Sequence, residues 1–293
     1  MRWRVRQFDE LASTNDEAKR AIEAGEAEGL AVRARRQTKG YGRQGRAWES
    51  PAGGLYFSML LRPSAPAGPL STVALVAGLA MHRALLRFVP GDDACRVRVK
   101  WPNDIVVLPA DGPGDGAGAD SASHPGAECG TGTRPTRPAA DGGARFLKLC
   151  GISSELHRGA LCIGVGVNVA PASIVAGGKN VPAYLADLAG EPLPADPAGR
   201  RDAVERTCSE LFEAALEEFG ALYGTWLREG FAPFADGYGR LEALAGSRVE
   251  VADRTGAILA SGRAAGVADD GRLLVLSADG SLVPVSSGEA HIL

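Results

Sequence analysis

Residues 37–48 read Gln-Thr-Lys-Gly-Tyr-Gly-Arg-Gln-Gly-Arg-Ala-Trp. Gly40, Gly42 and Gly45 let the main chain approach a ligand closely and leave N–H groups free to meet an anion. Between Arg33 and Trp48 stand Arg33, Arg35, Arg36, Lys39, Arg43 and Arg46, with no acid among them. Such a set of cations suits a phosphate or a nucleotide, and Trp48 adds a face on which a base can stack. The glycines also satisfy G-x-G-x-x-G after a strand-like run. A dinucleotide site would need a helix starting inside that motif and an acid roughly 20 residues on. Glu49-Ser50-Pro51-Ala52-Gly53-Gly54 cannot supply the helix, so that reading is set aside. A solvated basic hairpin is the plain alternative.

Four further segments carry chemistry. Lys100-Trp101-Pro102-Asn103-Asp104 gathers a cation, a proline-stiffened indole, an amide and a carboxylate. Asn can read the edge of adenine, and Asp can orient a metal-bound phosphate; a strand-end turn with a packed Trp fits equally. Lys148 sits in the apolar run Lys148-Leu149-Cys150-Gly151-Ile152, where lysine is rarely buried unless paired. Outward projection from an edge strand is the alternative. Gly164-Val165-Gly166-Val167-Asn168 places two glycines in a strand-like run, a mark of close ligand approach or of tight sheet packing. Ser13-Thr14-Asn15 gathers small hydrogen-bonding groups where a helix starts.

The elements that must position these residues follow from pattern. Thr14-Asn15-Asp16-Glu17 is a T-x-x-E capping box and predicts a helix over about 15–26. Strands are expected over 30–36, 55–61, 96–100, 104–108, 145–149 and 160–169. Helices are expected over 71–89 and 199–220, with a short one over 221–229. From 241 onward, short apolar runs alternate with Asp-Arg-Thr-Gly, Asp-Asp-Gly and Ala-Asp-Gly turns, which predicts a small antiparallel barrel. Residues 109–144 hold nine glycines and five prolines but no Leu, Ile, Val or aromatic residue. Such a segment cannot offset its ordering entropy, so it reads as a disordered insert in a hairpin between two neighbouring strands.

Composition narrows the classes. With 293 residues, 45% of them hydrophobic, the chain can bury a core without staples. A net charge of −3 argues against a protein that binds polyanions over its whole surface. The five cysteines are scattered with no CxxC, and the four histidines have no metal-ligand spacing, so neither a disulfide framework nor a zinc site is expected. No signal peptide and no membrane span is expected, and a reducing cytoplasmic setting is the default. Only five lysines stand against 27 arginines, which draws attention to Lys39, Lys100 and Lys148.

Taken together, these segments resemble the biotin protein ligases. The resemblance runs through Ser13-Thr14-Asn15, Gln37, the Gly/Arg loop at 40–48, Lys100 to Asp104, Lys148-Leu149-x-Gly151-Ile152 and Gly164-x-Gly166-x-Asn168. It implies an α+β fold. A catalytic domain over 1–240 would have a mixed sheet with helices on one side, like class II aminoacyl-tRNA synthetases. A small SH3-like barrel would cover 241–293. It implies an ATP-dependent ligase that makes biotinyl-5′-AMP and transfers biotin to a lysine of a biotin carboxyl carrier protein.

The roles implied by position are as follows. Ser13, Thr14, Asn15 and Gln37 would bond the ureido ring of biotin, with the backbone at Gly40, Tyr41 and Gly42. Arg43 and Arg46 would hold the phosphates. Trp48 and Asn103 would meet adenine, with Asn168 nearby. Lys148 would bridge the biotin carboxylate and the α-phosphate. Lys100 and Asp104 would orient Mg2+-ATP or the carrier lysine. Lys148, Arg43 and Asp104 would be the catalytic set, and Asp104 the candidate Mg2+ contact.

The resemblance has three departures. Tyr41 stands where many members have arginine, the 109–144 insert is extra, and no arginine follows the last strand to touch ATP. No DNA-binding domain is expected before Trp3, and no nucleic-acid or membrane partner. A monomer or homodimer is expected. The rivals are a nucleic-acid module using residues 33–48 and a lipoate ligase.

Overall fold

The structure is a computed structural model that describes residues 1–64, 66–109, 146–171 and 181–293. The segment read as a disordered insert lies, apart from Pro109, outside the described residues.

A seven-stranded sheet has the order β1-β2-β3-β7-β6-β5-β4. Its strands are β1 (Arg4–Leu11), β2 (Leu30–Gln37), β3 (Gly54–Leu61), β4 (Val97–Lys100), β5 (Asp104–Val107), β6 (Leu147–His157) and β7 (Ala160–Asn168). Only β1 and β2 pair in parallel; the other neighbours are antiparallel, so the sheet is mixed. β5 and β6 pair with Asp104 opposite Gly151 and Val107 opposite Leu147, as the expected hairpin requires.

Helices cover both faces of this sheet, not one. Alternate residues of a strand point to opposite faces. On β3, Leu55, Phe57, Met59 and Leu61 join the large core beneath α2 (Val73–Leu86) and α3 (Pro197–Glu229). Leu60 points the other way, as do Leu30 and Val32 of β2 and Ala160 and Cys162 of β7. These form a second cluster with Ala18, Ala21 and Ile22 of α1 (Thr14–Glu23).

α1 differs from its expectation in its cap. Ser13 is the N-cap and its side chain makes no capping bond. The Thr14 hydroxyl is drawn instead to Gln37 Oε1 at 3.1 Å, so the capping box does not close. The helices expected over 199–220 and 221–229 are one helix, α3. Gly220 does not break it, because the ring stack Phe219–Tyr223–Trp226, with centroids 5.4 and 5.6 Å apart, runs through that point. Packing outweighs the roughly 1 kcal/mol helix cost of a glycine. Asp196 caps this helix by accepting from Gly199 N at 2.7 Å. β1 and α4 (Ala232–Leu241) were not anticipated.

After α4, the strands β8 (Arg248–Ala252), β9 (Ile258–Val267), β10 (Leu273–Leu276), β11 (Leu282–Val285) and β12 (Glu289–Ile292) form an antiparallel sheet of order β11-β10-β9-β8-β12. It fits the small SH3-like unit expected, with β12 an addition to the anticipated strands. Val249, Val251, Leu273 and Val275 are fully buried in it.

Cys150, Cys162 and Cys208 are free and buried, and burial pushes their thiols up. Cys95 departs from expectation in being disulfide-bonded. Among the described residues no helix is long and apolar enough to cross a membrane.

Candidate active site

The site begins where the packing of α1 on the sheet ends. β7 presents Ala160 and Cys162 to α1, then Gly164 and Gly166 along the same face. In register beside them lie Ser58 of β3 and Ser153 and Gly151 of β6. These small residues are needed for what lies above them. A Cβ on Gly164 would fall 2.2 Å from Asn15 Oδ1, and one on Gly166 would fall 2.5 Å from Trp48 Nε1. A Cβ on Gly151 would lie 3.0 Å from the Trp48 ring. The glycines let Asn15 and Trp48 lie directly on the sheet surface.

A cleft opens over this floor. At one end Thr14 and Asn15, both buried, form a polar cluster with Gln37 and Ser58. Thr14 N donates to Gln37 Oε1 at 2.7 Å, and Gln37 Nε2 donates to Ser50 Oγ at 2.9 Å. Ser58 Oγ lies 2.8 Å from Thr14 Oγ1 and 2.6 Å from Asn15 Oδ1, while Asn15 Nδ2 reaches Ser153 Oγ at 3.3 Å. Each side chain is fixed by its neighbours, so donors and acceptors are oriented before any ligand arrives.

The opposite end is ionic. Lys148 Nζ lies 2.8 Å from Asp104 Oδ1, with both side chains about one-fifth exposed. The contact is close but not an aligned hydrogen bond, and Asp104 Oδ1 has no other donor among the described residues. Lys148 also sits 5.2 Å from the Trp48 ring centroid. The Trp48 indole N–H is buried and has no partner among the described residues. Arg43 donates to Asn103 Oδ1 at 2.7 Å, and Asn103 Nδ2 donates to the Ile152 carbonyl at 2.8 Å. Burial lowers the Arg43 pKa, with Asp104 acting in the opposite direction.

The Gly/Arg loop is anchored on both sides of Arg43. Upstream, the Tyr41 hydroxyl donates to Asp16 Oδ1 at 2.8 Å and accepts from Lys19 Nζ at 3.0 Å; Lys19 also pairs with Glu155 of β6. Burial pushes the Tyr41 phenol up to about 12, so it stays neutral. Burial opposes the charge on Lys19, but its bonds to Glu155 and Tyr41 outweigh that and raise its pKa. Downstream, Arg46 pairs with Glu289 of β12 at 2.6 Å. That bond holds the Glu289 carboxyl below its ordinary value. Between the anchors, Gln44 (φ 60°) and Gly45 (φ 71°) take left-handed backbone.

Twelve of the expected site residues line this cleft: Thr14, Asn15, Gln37, Tyr41, Gly42, Arg43, Arg46, Trp48, Lys100, Asn103, Asp104 and Lys148. Ser13, Gly40 and Asn168 stand behind it. Ser13 is the buried cap of α1. Gly40 is packed under Ser50 and the Trp48 carbonyl. Asn168 braces the main chain by donating to the Lys148 carbonyl at 3.0 Å. The six cations read as one basic stretch are divided. Arg33 is buried on β2, paired with Glu205 at 2.6 Å; Arg35 meets Glu205 and Asp9, and Arg36 meets Glu10. Ser58, Ser153, Lys19 and Glu289 were not anticipated. Sheet register brings Ser58 and Ser153 here, the seating of β12 brings Glu289, and the packing of α1 brings Lys19 to Tyr41.

The chain matches the Biotin/lipoate A/B protein ligase family over residues 7–121 and the Biotin protein ligase C terminal domain over residues 245–292. A biotin–[acetyl-CoA-carboxylase] ligase of Paracoccus denitrificans is 42% identical over 77 residues, 26% of this chain and 31% of that protein. The bifunctional ligase/repressor BirA of Bacillus subtilis is 33% identical over 102 residues, 34% of this chain and 30% of that protein. The chain thus spans about a third of the length of the curated relatives it matches. The fold agrees over a longer stretch. The biotin protein ligase of Aquifex aeolicus, solved with biotin and ATP, superposes with a TM-score of 0.65 at 24% identity, covering 99% of this chain and 98% of that one. The Leishmania major enzyme with biotinyl-5-AMP gives 0.53 at 21% identity, covering 97% and 98%. Residues 7–121 thus belong to the Biotin/lipoate A/B protein ligase family and residues 245–292 to the Biotin protein ligase C terminal domain family, and nearly all of the chain shares the fold of a biotin protein ligase.

Proposed function

We propose that this chain is a biotin–[biotin carboxyl carrier protein] ligase that joins biotin to ATP and then to a carrier lysine. The observation that carries the reading is the cleft itself. A fixed polar cluster at Thr14, Asn15 and Gln37 faces an ionic cluster at Arg43, Asp104 and Lys148 across a glycine floor. The ureido ring of biotin needs both N–H donors and its carbonyl satisfied, which suits the first end. The carboxylate and the triphosphate are both anions, and their meeting requires the cations of the second.

In the first step a biotin carboxylate oxygen attacks the α-phosphorus of ATP, and pyrophosphate leaves with the bridging oxygen. Lys148 moves from Asp104 to the two meeting anions and offsets their charge. Arg43 and Arg46 hold the phosphates, with Arg46 exchanging Glu289 for the nucleotide. Trp48 and Asn103 take the adenine. In the second step the neutral amine of the carrier lysine attacks the anhydride carbonyl. AMP leaves, and the amine proton passes to a base, a role Asp104 takes once Lys148 has left it. Mg2+ enters with ATP as part of the substrate; one carboxylate plus phosphate oxygens suits it. The relative from Paracoccus denitrificans, named as a ligase acting on acetyl-CoA carboxylase, supports a carboxylase carrier as acceptor.

The same reading divides the chain into a catalytic unit over 1–240 and a small unit over 241–293. It places the protein in the cytoplasm, as a monomer or homodimer. The nucleic-acid alternative loses its footing because Arg33, Arg35 and Arg36 are paired with acids of their own chain. The test is biotin-dependent ATP–pyrophosphate exchange with purified protein and Mg2+. Exchange with biotin and not with lipoate is expected; no exchange with biotin, or exchange with lipoate alone, overturns the reading.

A further inference from the structure

Glu242 follows α4, in the segment that leads into β8, and is 4% exposed. Its carboxylate is held by main-chain N–H groups. Trp101 N lies 3.0 and 3.2 Å from its two oxygens, and Leu244 N lies 3.0 Å from one of them. Two further bonds reinforce the same junction. Ala243 N donates to the Val99 carbonyl at 2.8 Å, making a bridge between β4 and the linker. The indole of Trp101, itself 2% exposed, donates to the Gly271 carbonyl at 3.1 Å, in the turn between β9 and β10. The N–H that Glu242 holds belongs to the peptide joining Lys100 to Trp101, at the start of the turn that presents Lys100, Asn103 and Asp104 to the cleft.

Burying a carboxylate costs free energy and is poor evidence of stabilisation in itself. Burial pushes this one up to about 7, against the two N–H bonds and the charge of Lys100. The other titratable groups that face this junction are Tyr238 of α4 and Asp104 of β5. What the buried group obtains is a fixed position for a single peptide.

We propose that Glu242 is a positioning residue. It locks the Lys100–Asp104 turn to the small C-terminal sheet, so that the nucleotide side of the cleft is set by how that sheet is seated. This inference rests on the ligase reading for its kinetics but not for its geometry. The residues at the biotin side, Thr14, Asn15 and Gln37, stand on α1 and β2 and share no contact with this junction. Loss of Glu242 therefore affects ATP and spares biotin.

The test is Glu242→Gln, which keeps the volume but turns an amide N–H toward the Trp101 N–H. The expected result is a KM for ATP raised by about tenfold, the size of one hydrogen bond to a charged group. The KM for biotin stays within about twofold, and the Trp101 amide exchanges with deuterium faster than in the wild type. Glu242→Asp, which withdraws the carboxylate from Trp101 N and keeps it near Leu244 N, is read the same way should the Gln variant not fold. An unchanged KM for ATP overturns the inference, and so does a parallel rise of both KM values with a fallen Tm. Should the wild type show no biotin-dependent exchange, the ligase reading falls alone. Unchanged Trp101 protection in the variants then decides against this inference, and faster exchange decides for it.

Discussion

Lys148 and Asp104 face each other across the β5–β6 hairpin, with Nζ and Oδ1 2.8 Å apart. The pair solves the problem of a lysine in an apolar strand and, on the proposed ligase reading, stores the cation next to where two anions must meet. Lys148→Ala should abolish adenylate formation, measured by pyrophosphate exchange. It should shift Tm little, because a partly exposed pair contributes only about 0–1 kcal/mol. Retained exchange would refute the role given to Lys148.

Arg46 is engaged by Glu289 before any nucleotide binds. On the proposed ligase reading, ATP has to displace that carboxylate. Glu289→Gln should therefore lower the KM for ATP by about threefold, the scale of an exposed ion pair. The difference should shrink in high salt. A higher KM would mean that Glu289 serves the nucleotide instead of competing with it.

Tyr41→Phe keeps the ring and removes bonds to Asp16 and Lys19. The upstream anchor of the Gly/Arg loop then loosens. Release of preformed biotinyl-adenylate, followed by stopped flow, should be about tenfold faster, as for one lost buried hydrogen bond of about 1.5 kcal/mol. An unchanged release rate would show that the backbone alone anchors the loop.

Gly166→Ala places a methyl 2.5 Å from Trp48 Nε1. Trp48 must lift from the floor, so ATP binding should fall sharply while the far-UV spectrum stays native. Gly42→Ala, whose Cβ would meet nothing within 4 Å, is the milder comparison. Equal effects would argue against a specific floor role for Gly166.

Glu242 predicts a pH dependence of stability. Its pKa rises from 4.5 to about 7 on folding, so the folded state binds the proton more tightly. Between those values the folded chain carries that proton and the unfolded chain does not. Its contribution to stability is therefore full below about 4.5, declines as pH rises, and levels off above about 7. Denaturant titrations should show wild type losing stability relative to Glu242→Gln, at up to about 1.4 kcal/mol per pH unit in that window. A constant difference would mean that the carboxylate is not protonated on burial.

Much of the site was legible because its residues are consecutive. The Gly/Arg loop, Lys100 to Asp104, and Lys148 to Ile152 each bring their chemistry as a short run, and pattern placed each at a strand end. Ser58, Ser153 and Lys19 were not legible. A serine inside a strand becomes a site residue only when its register sets it beside Gly164, and Lys19 matters only because Tyr41 reaches it across α1. Arg33, Arg35 and Arg36 illustrate the converse: proximity in sequence to the loop suggested a shared role, while strand alternation and α3 directed them elsewhere.

The sequence by itself determined which chemical groups are available and the local geometry that carries them. Composition, glycine placement and strand alternation act over a few residues, and those forces need no knowledge of the rest of the chain. The tertiary structure alone decided which groups meet. It put bare glycines under Trp48, paired Lys148 with Asp104, brought Glu289 from the far end of the chain to the cleft, and set Glu242 against the main chain of Trp101 behind it. Those contacts depend on sheet order and on the seating of one sheet against another, and such long-range packing leaves no periodicity to read.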